Sequence, residues 1–294
     1  MSTQSRENTV GFVGLGMMGL PMATSVLRAG KSLLVYDINP VPVTQLVGLG
    51  AQQASSPADV AMRAKYLISM VDTTAQASEV ILGPTGFMSS GQDGDIVISM
   101  GTIDPMALRV MHASLMAKGI ELIDAPVSGL EKGAREATLK AFVGGTVEAL
   151  EKARPVLNTM CSEIIHFGPI GNGTTMKLVN NMLFQVGRVL VAEALVLGTK
   201  AGLDPQQMVE VIGKATGNSA AFQYCAPRIL ARDFQGIRMD ITYKDIELQT
   251  ALAKSLQMPL FMANMAQQVY QMARASGFGG EDGAAVVKVY EQFT

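Results

Sequence analysis

The chain of 294 residues has few of the residue types that build disulfide frameworks and metal sites. Its two cysteines, Cys161 and Cys225, are far apart and form no CxxC spacing. This pattern argues against a disulfide framework and a structural zinc site, and it suits a reducing compartment. The two histidines, His112 and His166, also lack the spacing of metal ligands. We therefore predict that the protein has no metal site.

Charge of either sign is scarce as well. Charged residues make up 16% of the chain and the formal net charge is -2, so there is no basic surface of the kind that binds nucleic acid. No uninterrupted apolar run reaches the roughly 18 residues of a membrane span. The polar N-terminal stretch MSTQSREN lacks the apolar core of a signal peptide. We expect a cytoplasmic protein that binds neither nucleic acid nor a membrane.

The 48% of hydrophobic residues is enough for a substantial core, and their pattern changes along the chain. In the first half, β-rich runs alternate with helical segments, which indicates βαβ units and a largely parallel sheet. From about Thr174 onward the pattern is helical throughout. The predicted domains are residues 1–170 and 171–294, joined by a long helix. The β-rich runs are TVGFVGLG, KSLLVYD, KYLISMV, DIVISM, IELIDAP, LKAFVGG and EIIHFG.

A glycine-rich turn follows the first β-rich run and opens a helical segment. Gly14, Gly16 and Gly19 form the pattern GxGxxG, which also includes Leu15, Met17 and Met18. In dinucleotide-binding units these glycines make a tight turn, admit a pyrophosphate and let the helix pack on the strand. The phosphates lie on the positive helix N-terminus. The motif therefore predicts a Rossmann-type, doubly wound α/β domain that binds a dinucleotide, followed by an all-helical domain.

Asp37 ends the second β-rich run, 18 residues after Gly19. A carboxylate at this place accepts hydrogen bonds from the adenosine ribose, and its charge repels a 2′-phosphate. We therefore expect NAD as the cofactor. NADP remains an alternative, because neighbouring residues can override one carboxylate.

The stretch GPIGNGTTMKLVNN places three glycines directly before a helix with polar residues on one face. Lys177, Asn180, Asn181 and Phe184 share that face. Hydride transfer needs a group that gives or takes a proton, and Lys177 is better placed for this than either histidine. The glycines are expected to bring the backbone close to a bound ligand. On spacing alone, a lysine that reaches solvent beside asparagines that cap a neighbour is an equal alternative.

Four motifs, in order along nearly the whole chain, resemble those of the β-hydroxyacid dehydrogenase family. This family includes 3-hydroxyisobutyrate dehydrogenase, tartronate semialdehyde reductase and 2-(hydroxymethyl)glutarate dehydrogenase. The resemblance implies an oxidoreductase that transfers a hydride between NAD(H) and a short 3-hydroxy acid or its semialdehyde. The cofactor, substrate, catalytic and second lysine motifs are GFVGLGMMGLPMATSVLRAG, DAPVSGLEKGAREATL, GPIGNGTTMKLVNN and YKDIELQTALAKSLQMPLF.

The resemblance also implies roles for individual residues. Lys177 matches the general acid/base that acts on the substrate oxygen, and Asn181 matches an amide that orients the substrate. Ser128 and Gly129 match the pair that holds the substrate carboxylate, whereas Asp124 is expected to stabilise the loop. The implied cofactor contacts are Thr102, near the nicotinamide ribose, and Lys244, from the helical domain.

The sequence departs from the family pattern at four positions. Leu130 and Ala137 stand where the family usually has glycine. Gly101 replaces the usual serine before Thr102, and Asp72 stands where proline is common. Leu130 lies in the expected substrate turn. A larger, dicarboxylic or sulfonated aldehyde therefore stays open as an alternative substrate.

Two other classes of function also stay open. A non-catalytic NAD(P)-binding protein, such as a redox sensor, would share the glycine-rich turn but would not need a proton donor. An imine reductase on a similar scaffold usually has another residue at the position of Lys177. For each class we expect the apolar helical domain to form a homodimer or homotetramer, as the family resemblance also implies.

Overall fold

The computed structural model describes residues 6–293 of the chain. The first five residues of the polar N-terminal stretch and Thr294 lie outside the described residues, so the prediction for that stretch is not tested in full. The described chain divides into two compact units, one up to Lys177 and one from Leu178 onward. The domain boundary between residues 170 and 171 stays a prediction.

The first unit is built on a parallel sheet that has six strands among the described residues. The strand order is β3-β2-β1-β4-β5-β6 and every pair is parallel. This is the order of doubly wound dinucleotide-binding sheets, with the switch between β1 and β4, so the predicted Rossmann-type sheet is confirmed. The strands are β1 (Thr9–Val13), β2 (Ser32–Tyr36), β3 (Gln52–Gln53), β4 (Tyr66–Ser69), β5 (Ile96–Ser99) and β6 (Glu121–Asp124).

Helices connect the strands and cover the sheet, whose central side chains such as Phe12, Ile68 and Ile98 are fully buried. Asn39, Ser56 and Asp104 each cap a helix and are each followed by proline, which favours the first helical turn. The connecting helices are α1 (Gly19–Arg28), α2 (Pro40–Gly48), α3 (Pro57–Arg63), α4 (Thr74–Leu82), α5 (Phe87–Ser90) and α6 (Pro105–Met116).

A smaller sheet follows in the same unit. Its described strands are β7 (Val127–Ser128), β8 (Leu139–Val143) and β9 (Cys161–His166), with α7 (Leu130–Glu136) and α8 (Val147–Leu157) between them. The β7–β8 pair is antiparallel and the β8–β9 pair is parallel. The runs LKAFVGG and EIIHFG are therefore strands, as predicted. They form a separate sheet, which an isolated antiparallel bridge between Asp124 and Gly144 links to the end of β6.

The long helix α9 (Asn172–Lys200) continues into the second unit, where the residues described from 178 to 293 form helices and turns. Apolar side chains such as Phe222, Met239 and Ile246 build a separate core there. The predicted all-helical domain, joined by a long helix, is therefore confirmed. The other elements are α10 (Pro205–Ile212), α11 (Ala220–Ala231), α12 (Met239–Ser255), α13 (Phe261–Ala275), a 3₁₀ helix (Gly283–Val286) and α14 (Val287–Glu291).

By length and composition α9 could cross a membrane, and it is the one helix of the described chain that passes this test. Its most apolar window has a mean hydropathy of 1.5. The sequence analysis looked for an uninterrupted apolar run and found none, because polar residues interrupt the apolar residues of α9. The mean hydropathy of a window averages over these polar residues. One of these residues is Arg188, which is fully buried and donates a hydrogen bond of 2.6 Å to Thr242 Oγ1. A core helix of a soluble protein has the same length and hydropathy.

Candidate active site

Each glycine of the glycine-rich turn has a different steric environment. Gly14 has φ +94°, and a Cβ there would overlap the carbonyl oxygen of Met70. A Cβ on Gly19 would overlap the carbonyl oxygen of Gly14, so α1 can start this close to the turn only without a side chain. A Cβ on Gly16 would meet none of the described atoms within 4 Å, apart from its chain neighbours. The open space lies at the glycine beside which a pyrophosphate is expected.

The start of α1 is also suited to bind an anion. Within the described residues, no side chain forms a cap hydrogen bond at Met18, the residue before the helix. The first N–H groups of a helix have no partner inside it and carry a partial positive charge. Met17 is half exposed and Met18 packs partly against the core. The residues present therefore fit a dinucleotide phosphate at this helix start.

The carboxylate of Asp37 contacts the same turn. Its Oδ2 accepts a hydrogen bond of 2.5 Å from the N–H of Leu15, and its Oδ1 accepts one of 2.7 Å from the N–H of Asn39. Two backbone donors thus determine the orientation of this side chain. Each carboxylate oxygen has more than one acceptor direction, so Asp37 can still bind a ribose hydroxyl.

Thr102 lies in the loop between β5 and α6 and is half-buried. A Cβ on the preceding residue, Gly101, would overlap the carbonyl oxygen of Val71. Val71 precedes Asp72 at the end of β4, the neighbour of β5. In this chain glycine therefore replaces the family's usual serine at a place where the adjacent backbone leaves no room for a side chain.

The predicted carboxylate-binding turn lies at β7 and the start of α7. Ser128 is half-buried, and Gly129 has φ +139°. Leu130 and Ala137 have φ +60° and φ +55°, so both positions where the family usually has glycine adopt left-handed backbone here. This conformation costs a residue with a side chain roughly 1–2 kcal/mol. Helix α7 is therefore bounded by strained residues, and Leu130 is 44% exposed.

The buried carboxylate of Asp124 anchors the start of α9. It accepts hydrogen bonds from the N–H groups of Gly171, at 2.7 Å, and Thr174, at 2.6 Å. Burial raises the pKa of Asp124, and these backbone hydrogen bonds oppose that rise. The contact satisfies first-turn donors that have no partner within the helix. Asp124 therefore stabilises the turn into α9, and half-buried Lys177 lies one turn further along that helix.

Three glycines lie in the turn before α9 and in its first residues. Gly168 and Gly171 have φ +92° and φ +88°, which turn the chain between β9 and the helix. A Cβ on Gly173 would overlap the carbonyl oxygen of Phe142 in β8. Gly173 therefore lacks a side chain because the start of α9 packs against the neighbouring strand, and the close approach of these glycines to a ligand stays a prediction.

In the second unit, two predicted site residues share a carboxylate that the sequence analysis missed. Asp245 in α12 is 5% exposed. Its Oδ2 accepts a hydrogen bond of 2.8 Å from Nδ2 of Asn181, and its Oδ1 lies 3.1 Å from Nζ of Lys244. The available signal was helical spacing, because Asp245 shares one face of α12 with Thr242 and Gln249, which are also buried.

Other reactive side chains do not extend the site. Cys161 and Cys225 are free and buried, and burial raises the pKa of both thiols to about 12, so neither forms a thiolate near neutral pH. His166 makes a hydrogen bond of 2.8 Å with the carbonyl oxygen of Gly145. Within residues 6–293, no group of three His, Cys, Asp or Glu residues could hold a metal ion.

The predicted site residues thus fall in both units, each with its own contacts. The second unit contains Asn181 and Lys244. The first unit contains the turn of residues 14–19 and Asp37, Thr102, Ser128, Gly129 and Lys177.

A doubly wound sheet with this turn and an acidic residue after β2 defines an NAD(P)-binding protein. The match of residues 9–168 to the NAD binding domain of 6-phosphogluconate dehydrogenase agrees with this class. The NAD-binding domain of NADP-dependent 3-hydroxyisobutyrate dehydrogenase matches residues 171–290.

Known dehydrogenases are similar to the chain over nearly its whole length. The 2-(hydroxymethyl)glutarate dehydrogenase of Eubacterium barkeri is 38% identical over 287 residues, which cover 97% of this chain and 95% of the relative. The NAD-dependent L-serine dehydrogenase of Pseudomonas aeruginosa is 34% identical, with 96% and 97% covered. The crystal structure of 3-hydroxyisobutyrate dehydrogenase from Salmonella typhimurium has a TM-score of 0.87 at 32% identity, with 96% and 99% covered. The chain belongs to the β-hydroxyacid dehydrogenase family.

The chain is therefore an NAD(P)-dependent oxidoreductase of 3-hydroxy acids, which confirms the predicted enzyme class. Hydroxy acids are also the small-molecule partners that the relatives' names indicate.

Two glycine variants separate the cofactor role of the turn from its steric role. Gly16→Ala should leave the free energy of unfolding unchanged, because the added methyl group contacts none of the described protein atoms beyond its chain neighbours. It should weaken NADH binding at least tenfold, because the methyl group enters the space in which the pyrophosphate is expected. Gly19→Ala should destabilise the protein by about 1–3 kcal/mol, because its methyl overlaps Gly14. Urea unfolding and NADH fluorescence titration measure both effects. Tight NADH binding by Gly16→Ala would contradict a cofactor at this turn.

Proposed function

We propose that Lys177 is the general acid/base of this dehydrogenase. NAD(H), when bound, supplies or accepts the hydride. In the reduction of an aldehyde or ketone, Lys177 donates a proton to the carbonyl oxygen; in the oxidation of the alcohol, it accepts the hydroxyl proton. The charge of its protonated form stabilises the alkoxide that develops on that oxygen. The supporting observation is the anchor at Asp124, which holds the helical turn immediately before Lys177 in place.

The substrate carboxylate is proposed to bind at Ser128 and Gly129. A hydroxyl and a backbone N–H are suitable donors for a carboxylate. The start of α7 supports this role, because within the described chain no side chain forms a cap hydrogen bond at Gly129. Asn181 is proposed to orient the same substrate, and Thr102 and Lys244 to contact the cofactor.

NAD is the proposed cofactor in preference to NADP. Asp37 accepts backbone hydrogen bonds through both carboxylate oxygens, so it cannot rotate away from a 2′-phosphate without losing them. The following residues, INPVPVT, include no lysine or arginine that could bind such a phosphate. The carboxylate therefore favours the free ribose hydroxyl of NAD.

The proposed substrate is a short 3-hydroxy acid or its semialdehyde. The second candidate is a dicarboxylic 3-hydroxy acid, supported by the 38% identity with 2-(hydroxymethyl)glutarate dehydrogenase. The side chain of Leu130 is exposed next to the proposed carboxylate-binding pair. We expect it to determine which of the two candidate substrates the enzyme prefers.

The two units are proposed to have different roles. Residues 1–170 bind the dinucleotide, and residues 171–294 contribute to substrate binding and to assembly. A cytoplasmic location is proposed because the free, buried thiols of Cys161 and Cys225 suit a reducing compartment.

The helical unit is also proposed to form a homodimer or homotetramer. Leu183, Leu190 and Leu197 recur every seven residues on α9 and are 72%, 49% and 69% exposed. An apolar stripe of this kind is typical of an interface between subunits.

A substrate screen with both cofactors tests the proposed chemistry. Short 3-hydroxy acids should give NADH absorbance, and kcat/KM should be at least tenfold higher with NAD than with NADP because Asp37 repels a 2′-phosphate. A matched set of monocarboxylic and dicarboxylic hydroxy acids separates the two substrate candidates. Preference for the dicarboxylic set would contradict the short-substrate proposal, and preference for NADP would contradict the role of Asp37.

Replacement of Lys177 tests the proton-transfer role. Lys177→Ala should lower kcat by about 10²–10⁴-fold, the usual contribution of a general acid or base. Its affinity for NADH, measured by fluorescence titration, should stay close to wild type. Lys200→Ala is the matched control, because this exposed lysine lies in the last turn of the same helix. A wild-type kcat for Lys177→Ala on the best substrate of the screen would disprove the role.

Light scattering after size-exclusion chromatography tests the assembly. The wild-type mass should be at least twice the 31.1 kDa of one chain. Leu190→Glu should shift the mass toward one chain, because a charge in the middle of the apolar stripe would lose water on association. Glu193→Gln, an exposed polar exchange on α9, is the control and should keep the wild-type mass. A wild-type mass of 31.1 kDa would rule out the proposed oligomer.

A further inference from the structure

Asp245 has no role in the function proposed above, yet it contacts both residues proposed to act from the helical unit. One carboxylate oxygen accepts the hydrogen bond from Asn181, and the other lies 3.1 Å from the ammonium of Lys244. Among the described atoms, that second oxygen is buried without a hydrogen-bond partner. Its attraction to Lys244 is therefore an ion pair without the alignment of a hydrogen bond.

The contact with Asp245 determines how the Asn181 amide is oriented. An ionised carboxylate only accepts hydrogen bonds, so the amide must turn its NH₂ group toward Asp245. The amide oxygen then lies on the other side, where it accepts a hydrogen bond of 3.3 Å from Nδ2 of Asn180. The remaining donor and acceptor directions of Asn181 are thereby defined before any substrate binds.

Further hydrogen bonds hold the carboxylate itself. Gln185 donates to Asp245 Oδ2 at 3.3 Å, and Gln249 donates to Gln185 Oε1 at 2.7 Å. Tyr270 donates to the backbone oxygen of Gln185 at 2.9 Å. Asp245, Gln185, Gln249 and Tyr270 are all buried, so the side chain of Asp245 has one well-defined position.

A buried carboxylate needs an explanation, because an apolar side chain of similar volume would avoid its loss of hydration. Apolar packing does not supply one, since apolar side chains such as Met239 and Ile246 share this core with other buried polar residues, among them Arg188. What Asp245 does that an apolar residue cannot do is hold an amide in one orientation and an ammonium at one place. The amide belongs to Asn181 and the ammonium to Lys244, the two residues of this unit that are proposed to contact the substrate and the cofactor.

We infer that Asp245 is a positioning residue, which orients Asn181 and Lys244 for the reaction. This inference rests on the proposed function, because it needs both residues to contact substrate or cofactor. In this role Asp245 acts through these two side chains. Loss of its carboxylate would leave the amide free to flip and the ammonium free to move, and small misplacements of this kind cost up to about 10²-fold in rate.

Kinetics of variants at Asp245, Asn181, Lys244 and Asp240 on the best substrate of the screen test the inference. Asp245→Asn should lower kcat/KM by about 10-fold and Asp245→Ala by about 100-fold, with the wild-type thermal midpoint kept by Asp245→Asn. Asp240→Asn is the matched control, because Asp240 lies on the same helix in a half-exposed pair with Arg274. In the Asn181→Ala background, Asp245→Asn should reduce kcat/KM much less than it does alone, since the amide it orients is gone.

Two results would overturn the positioning role while leaving the proposed function intact. One is wild-type kcat/KM for Asp245→Asn when Asn181→Ala and Lys244→Ala are both impaired. The other is full additivity of Asp245→Asn with both Asn181→Ala and Lys244→Ala, which would indicate a general structural effect. If Lys177→Ala, Asn181→Ala and Lys244→Ala all kept wild-type rates, the proposed function itself would fail.

Discussion

The chemistry proposed for this dehydrogenase depends on a buried carboxylate at the start of one long helix. Asp124 ends the last strand of the parallel sheet, and it binds the N–H groups of Gly171 and Thr174. The strand and the helix are thereby joined at one point, one turn before Lys177. Because a helix is rigid over a single turn, the position of Asp124 in the sheet largely determines the position of the lysine.

Asp245 acts on side chains in the way that Asp124 acts on backbone. Asp124 satisfies helix donors that would otherwise be buried without partners, whereas Asp245 selects one orientation of an amide and attracts an ammonium. Each lies within its own compact unit and is held by neighbours that are close only after folding. Burial strengthens both contacts because the surroundings have a low dielectric constant.

The departures from the family pattern show how the backbone tolerates substitutions. Leu130 and Ala137 adopt left-handed conformations, which strain residues that have a side chain, at positions where the family usually has glycine. Gly101 is the opposite kind of departure, since here glycine stands where the family usually has a residue with a side chain. The carbonyl oxygen of Val71 leaves no room for such a side chain. The sequence pattern identified all of these positions, but their conformations and neighbours were visible only in the structure.

The sequence by itself determined the sheet, the helical unit and the glycine-rich turn. Periodicity, capping residues and glycine spacing act over a few neighbouring residues, so they can be interpreted from sequence. Only the tertiary structure decided that β8 and β9 form a separate sheet, that Phe142 fills the space beside Gly173, and that Asp245 joins Asn181 to Lys244. These contacts link residues far apart in the chain, and no local pattern specifies which distant atom will occupy a given space.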